Sequence, residues 1–191
     1  MGKRLKWWIG PCLSLFLTAS GGQATASQLT FVGQAIAIVG SLGRGDEAKF
    51  ARMLARQLPG RIAFVYLASG GGDVAVAGDI ARSVRAAGLT TVVDAARYPC
   101  VGPCVAIFAA GARRVYLHAP AGGGNVGARG FRGLGFVSGE TSGNVALVAL
   151  LEELGAPRAA RLAEAVPANG VYRFSGADAL AAGLATALTP E

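Results

Sequence analysis

The chain has 191 residues, is 52% apolar, and carries a formal charge of +7 from 18 Lys and Arg against 11 Asp and Glu. That length suits one domain with a sizeable core. Its cations are scattered and accompanied by no stacking set of aromatics, which argues against nucleic acid as a partner despite the basic balance.

Lys3, Arg4 and Lys6 precede the apolar run Trp7 to Leu17, and Ala24-Thr25-Ala26 supplies the small residues a signal peptidase reads. This is the pattern of a cleaved export signal over residues 1–26, with Ser27 as the new N-terminus and a periplasmic or secreted product. The run is shorter than the roughly 20 residues a membrane span needs, and no second span is expected after cleavage. Removing the signal leaves one domain, residues 27–191, with 15 Lys and Arg against 11 Asp and Glu, all of those cations but Lys49 being arginine.

From there strands and helices alternate. Ala35 to Val39 reads as a short strand ending at Gly40. Asp46 opens an amphipathic helix with Phe50, Met53, Leu54 and Leu58 on one face, closed by Pro59-Gly60. Ile62 to Leu67 is a near-continuous apolar run, the pattern of a strand buried on both faces. Ser69-Gly70-Gly71-Gly72 follows, then a helix from Asp73 to Ala87 that closes at Gly88. Thr90 to Val93 and Val115 to Leu117 read as strands flanking a buried helix, Val105 to Ala110. This order predicts a parallel sheet with right-handed crossovers. Gly122 to Asn125 and Gly130 to Gly135 read as mobile glycine-rich loops. Thr141 caps a helix running from Ser142 to Gly155, and a second helix spans Pro157 to Ala165 with Arg158 and Arg161 outward. Val171 to Phe174 is a strand, and Ser175 caps a short final helix.

The segment Tyr98-Pro99-Cys100-Val101-Gly102-Pro103-Cys104 turns sharply into the buried helix, with Pro103 suited to its first position. Hydrolases mount nucleophiles at such elbows, because backbone N–H groups there favour a developing oxyanion. The residue at the tip is glycine. Were Cys100 and Cys104 both on the first helical turn, their Cα atoms would stand about 6 Å apart, within disulfide range. Two buried free thiols are the alternative. Zinc needs about four ligands and His118 is the only imidazole, so neither a metal nor another cofactor is expected.

Four pieces in this order, Ala35–Leu58, the strand into Ser69-Gly70-Gly71-Gly72, the Cys100–Cys104 elbow, and Phe174-Ser175 with Gly183-Leu184, resemble the ClpP/crotonase superfamily. Within it the chain looks like the exported ClpP-like proteins of bacteria. The resemblance implies an α/β spiral of ββα units with a mostly parallel sheet, Ser-His-Asp chemistry on peptides, and homo-oligomeric assembly. It also implies a ligand cleft at Ser69, Gly70, Gly71 and Gly72. Carried over position by position, the nucleophile falls on Gly102, the general base on Asn125, and the orienting carboxylate near Val171. Pro103 falls where the residue after the nucleophile lends an oxyanion-hole N–H, and proline has none. The reading that follows is an exported ClpP-like protein without peptidase activity, working through a peptide or protein ligand or through assembly. Two alternatives stay open: a serine-type peptidase with a relocated triad, for which Ser138, Ser142, Ser175 and His118 are the remaining candidates, and a crotonase-type enzyme that uses an oxyanion hole without a nucleophile.

Overall fold

The computed structural model describes residues 26–56, 62–127, 130–137, 141–166 and 170–190. The first sheet is built, in spatial order, from β1 (Gln28–Val32), β2 (Ala35–Val39), β3 (Phe64–Ala68), β4 (Thr90–Asp94) and β6 (Arg113–Leu117). Strands β2, β3, β4 and β6 run parallel, as the alternation predicts. Helices α1 (Asp46–Ala55), α2 (Val74–Ala86) and α3 (Pro103–Ala109) make the crossovers. Ile36, Ile38, Val65, Leu67 and Val93 point to the helical side, where Phe50, Ile80, Val84 and α3 from Cys104 to Ala109 complete the core.

β1 was not expected. It pairs antiparallel with β2 through a two-residue turn, Gly33-Gln34, in which Gly33 takes a φ of 60°. That positive φ at the first turn position is a hairpin signal the Gly33-Gln34 dipeptide carries. β3 corrects another expectation. Val65 and Leu67 are buried, but Phe64 and Tyr66 are exposed, because no element among the described residues covers the outer face of the sheet.

The second sheet is mixed. Its strands, in spatial order, are β5 (Pro99–Val101), β8 (Gly133–Val137), β9 (Val171–Arg173) and β7 (Gly124–Val126). Only β5 and β8 are parallel neighbours. Two of these strands lie in segments expected to be loops, and the reason is close approach. A Cβ on Gly135 would press on Phe131 and the Tyr172 carbonyl, and one on Gly123 would meet the Arg173 and Ser175 backbone. These glycines admit neighbouring backbone rather than supply motion. The remaining helices are α4 (Thr141–Glu153), α5 (Pro157–Glu164) and α6 (Gly176–Ala181). Asp73 caps α2 by accepting from the N–H groups of Ala75 and Val76, and Ser175 forms a capping box with Asp178. Asp79 pairs with Arg82 at 2.9 Å, a solvated contact. Pro59-Gly60, Leu58 and Ser138 lie outside the described residues, as does nearly all of the export signal, and nothing is described of the Ser142 side chain.

Tyr116 of β6 ties the sheets together. Its hydroxyl donates to the Phe174 carbonyl at 3.1 Å and accepts the Leu134 N–H at 3.0 Å. Burial pushes the phenol up to about 12 from its ordinary 10. In the unfolded chain the phenol ionises near pH 10, so the native state holds its proton more tightly. The associated stability is complete below pH 10 and is lost as pH rises from 10 to 12. Two units correspond to about 2–3 kcal/mol. The urea midpoint should therefore fall across that window beyond what other tyrosines cause, and Tyr116→Phe should remove the extra fall while lowering stability at neutral pH.

Candidate active-site cleft

The glycine loop and the elbow meet because both leave the ends of strands pointing the same way. Ser69 forms a parallel bridge with Cys100, and its carbonyl accepts the Val101 N–H at 3.0 Å. The loop is pinned on its other side by Leu42, which donates to Gly71 O at 2.9 Å and accepts from Asp73 at 3.0 Å. Gly71 and Gly72 have φ of 119° and 128°, values that L side chains rarely adopt. Between loop and elbow lies a cavity of about 200 Å³. Gly70, Gly71, Gly72, Gly102 and Pro103 form its backbone wall, with Val74, Val101, Val137, Leu147 and Asn144 around them.

The four loop residues do different things. Ser69 is fully buried, and its hydroxyl accepts the Gly71 N–H at 3.2 Å and lies 3.1 Å from the Gly71 carbonyl, so it shapes the loop and does not line the cavity. Gly71 is buried and its N–H is used by that contact, whereas Gly70 and Gly72 are exposed. Among the described residues nothing accepts from the N–H of Gly70 or Gly72. Those two exposed amides are donors the cleft can offer a carbonyl oxygen, beside the Asn144 side-chain amide that lines it.

The elbow is a strand, one glycine and a helix. Gly102 has φ 54° and ψ −115°, donates to Gly135 O at 2.9 Å, and leaves open space where a Cβ would stand. Pro103 takes the first helical position, so the elbow lends no N–H at that point. Cys100 and Cys104 are disulfide-bonded with Cα atoms 5.2 Å apart. The bond joins β5 to α3, whereas spacing alone would place both cysteines on one helical turn. It therefore clamps the strand to the helix across the glycine. Both cysteines are fully buried.

The structure brings Gly102 to the glycine loop but leaves Asn125 apart. Asn125 is exposed at the centre of β7, opposite Tyr172, on the far edge of the second sheet from β5. Three strand spacings separate those edges, roughly 14 Å. Val171 is buried between Val126 and Val137, one strand from the cavity wall. His118, the imidazole left for a relocated triad, lies at the end of β6, where its Nδ1 stands 2.8 Å from Asp94 Oδ1. Sequence reasoning missed that pairing, since 24 residues separate the partners and only the parallel register of β4 and β6 sets Asp94 against Leu117, next to His118.

No family model and no curated protein matches the chain. Solved structures do. An enoyl-CoA hydratase from Thermoplasma volcanium superposes with a TM-score of 0.52 at 12% identity, over 86% of this chain and 72% of that one. An enoyl-CoA hydratase from Mycobacterium avium subsp. paratuberculosis gives 0.51 at 19% identity, over 86% and 68%. A membrane-bound stomatin-specific protease gives 0.54 at 12% identity, over 82% and 78%. The chain has the ClpP/crotonase fold. Of the four pieces on which the resemblance in sequence rests, the strand and helix from Ala35 are described as far as Arg56, and the strand into the glycine loop with its helix, the elbow, and the Phe174-Ser175 unit with Gly183-Leu184 are each in place. At these identities the likeness establishes the fold alone. A second form of the stomatin-specific protease was solved with a substrate peptide.

Proposed function

We propose that this is an exported ClpP-like protein that does not cleave peptides and acts by holding an extended peptide or protein segment in its glycine cleft. One observation carries the reading. The cleft keeps two unengaged backbone donors, at Gly70 and Gly72, while its elbow supplies neither a hydroxyl nor an N–H at Gly102 and Pro103. Backbone donors suffice to hold a strand-like ligand, whose own carbonyls and amides do the pairing. Apolar walls at Val74, Val101, Val137 and Leu147 favour aliphatic side chains. Attack on a carbonyl needs more, namely a nucleophile and a base.

Assembly belongs to the same proposal. Val145, at 65% exposure, and Leu180, at 42%, leave apolar surface on the C-terminal helices. One preparation tests these parts together. Protein recovered from the cell envelope should begin at Ser27 and scatter light as more than one chain at tens of micromolar. It should also retain an aliphatic-rich peptide from an immobilised library, intact after overnight contact. An N-terminus at Met1 would remove the export part, and a clean monomer the assembly part. Cleavage of the captured peptide would return the relocated-triad reading, and turnover of an acyl thioester the crotonase-type one.

A further inference from the structure

A groove larger than the cleft, about 370 Å³ and mostly apolar in its lining, lies on the uncovered outer face of the first sheet. Val39, Tyr66, Val92 and Leu117 form its floor, and His118 with Asp94 stands at its lip. Three features set this lip apart from an ordinary surface ion pair.

The first is orientation. Asp94 Oδ1 accepts from the Ala96 N–H at 3.0 Å and faces His118 Nδ1 at 2.8 Å, while its Oδ2 lies 3.7 Å from Arg97. A carboxylate only accepts, so in the neutral ring Nδ1 carries the proton and Nε2 is left as a bare acceptor. The second is backbone strain. His118 has φ 49°, the only positive φ at a non-glycine residue among those described. Such conformations cost free energy and gather at functional sites. The third is charge. Arg97 lines the groove, and Arg132 reaches the same turn by donating to the Ala96 carbonyl at 2.7 Å. The lip therefore carries Arg97 beside a carboxylate whose oxygens are already engaged, with Arg132 held on the adjoining turn, which favours an oxygen of partial negative charge.

We infer that this groove is a second ligand site, separate from the glycine cleft, and that it takes a small aromatic alcohol. The ring lies on the floor, and the hydroxyl donates to His118 Nε2. A phenol meets each requirement: a flat apolar body, one O–H donor, and an oxygen whose partial negative charge suits the neighbouring guanidinium groups. Asp94 acts as a positioning residue, since it fixes which imidazole nitrogen is free.

The test is a paired titration followed by ¹H–¹⁵N correlation spectra, using p-cresol and its methyl ether, 4-methylanisole. The two probes share a ring and differ in the O–H. In the wild-type protein p-cresol should cause saturable shifts at the amides of Tyr66, Val92 and Leu117, and bind about fivefold more tightly than the ether, as one hydrogen bond allows. His118→Gly should bring the two affinities within about twofold of each other while keeping apolar binding. That variant also relieves the positive φ, so its melting temperature should not fall. Asp94→Asn should narrow the preference as well, because the amide accepts or donates and no longer fixes the tautomer; Asp94→Glu should recover part of it. Equal affinity for the two probes in the wild type would overturn the inference, as would shifts confined to the glycine cleft or no saturation at millimolar p-cresol. Shifts of the same amides on simple dilution would overturn it too, by showing that a second copy of the chain covers this face.

Discussion

A Gly72→Ala variant should lose about 3 kcal/mol or more of stability and accumulate largely as insoluble protein. Two costs combine. The backbone at Gly72 has φ 128°, where an alanine is strained by about 1–3 kcal/mol. The added Cβ would also run into the backbone nitrogen, oxygen and carbonyl carbon of Leu42, atoms held in place by the bridge between Leu42 and Gly72. Overpacking against fixed backbone costs about 1–3 kcal/mol more. A domain of this size has only about 5–15 kcal/mol to lose. The control is two residues away. Gly70 has no positive φ, and no atom lies within 4 Å of where its Cβ would stand, so Gly70→Ala should keep its stability within about 0.5 kcal/mol of wild type. If the two variants unfold alike, the close approach of the loop to Leu42 is not what holds the cleft open.

Gly102→Ser is the second large-effect variant, and the expected result is that nothing is gained. The serine has room, since no atom lies within 4 Å of a Cβ there. At φ 54° and ψ −115°, outside the left-handed helical well, its strain is about 1–3 kcal/mol. What it lacks is chemistry. Pro103 withholds one oxyanion donor, a loss that elsewhere lowers turnover about 10²- to 10³-fold. No imidazole is at hand, because Asn125 sits on the opposite edge of the sheet and His118 is engaged with Asp94 at the end of β6. Neither wild type nor variant should be labelled by a fluorophosphonate, which reports an activated hydroxyl. Pro103→Ala would return one N–H to the elbow, but Asn125→His would set its imidazole on the far edge of the sheet, so changes at the carried-over positions do not supply a base. A fourth change, Val171→Asp, would bury a carboxylate among valines and carry its own penalty. Stoichiometric labelling of the wild type would show that a serine other than one at the elbow is activated, and the labelled peptide would name it.

Much of this was legible along the chain. Helices α2 and α6 announced themselves through Asp73 and Ser175, because a cap is a local hydrogen bond between near neighbours. The buried α3 was visible as an uninterrupted apolar run, and the elbow as proline beside glycine. Less legible were contacts set by partners remote in sequence. Gly133 and Gly135 look like flexible loop until Tyr116 and Tyr172 are seen pressed against them. Tyr66 reads as interior, since an apolar run does not say whether anything covers its second face. The cysteine spacing predicted the bond and misplaced it, because four residues span a strand-to-helix corner as readily as a helical turn. The general-base position fell on Asn125 by its place along the chain, which carries no information about which sheet edge a strand joins.

The single phenol that bridges the two sheets also bears on how the domain comes apart. Leu134 gives its amide proton to a side chain rooted in the other sheet, so that amide is released only when β6 and β8 separate. Local opening of the glycine-rich strands is thereby coupled to loss of the parallel sheet, and the two behave as one cooperative unit in hydrogen exchange rather than as a stable half and a fraying half. The cleft lies where these sheets meet, between the loop after β3 and the elbow after β5, so its two walls open together or not at all.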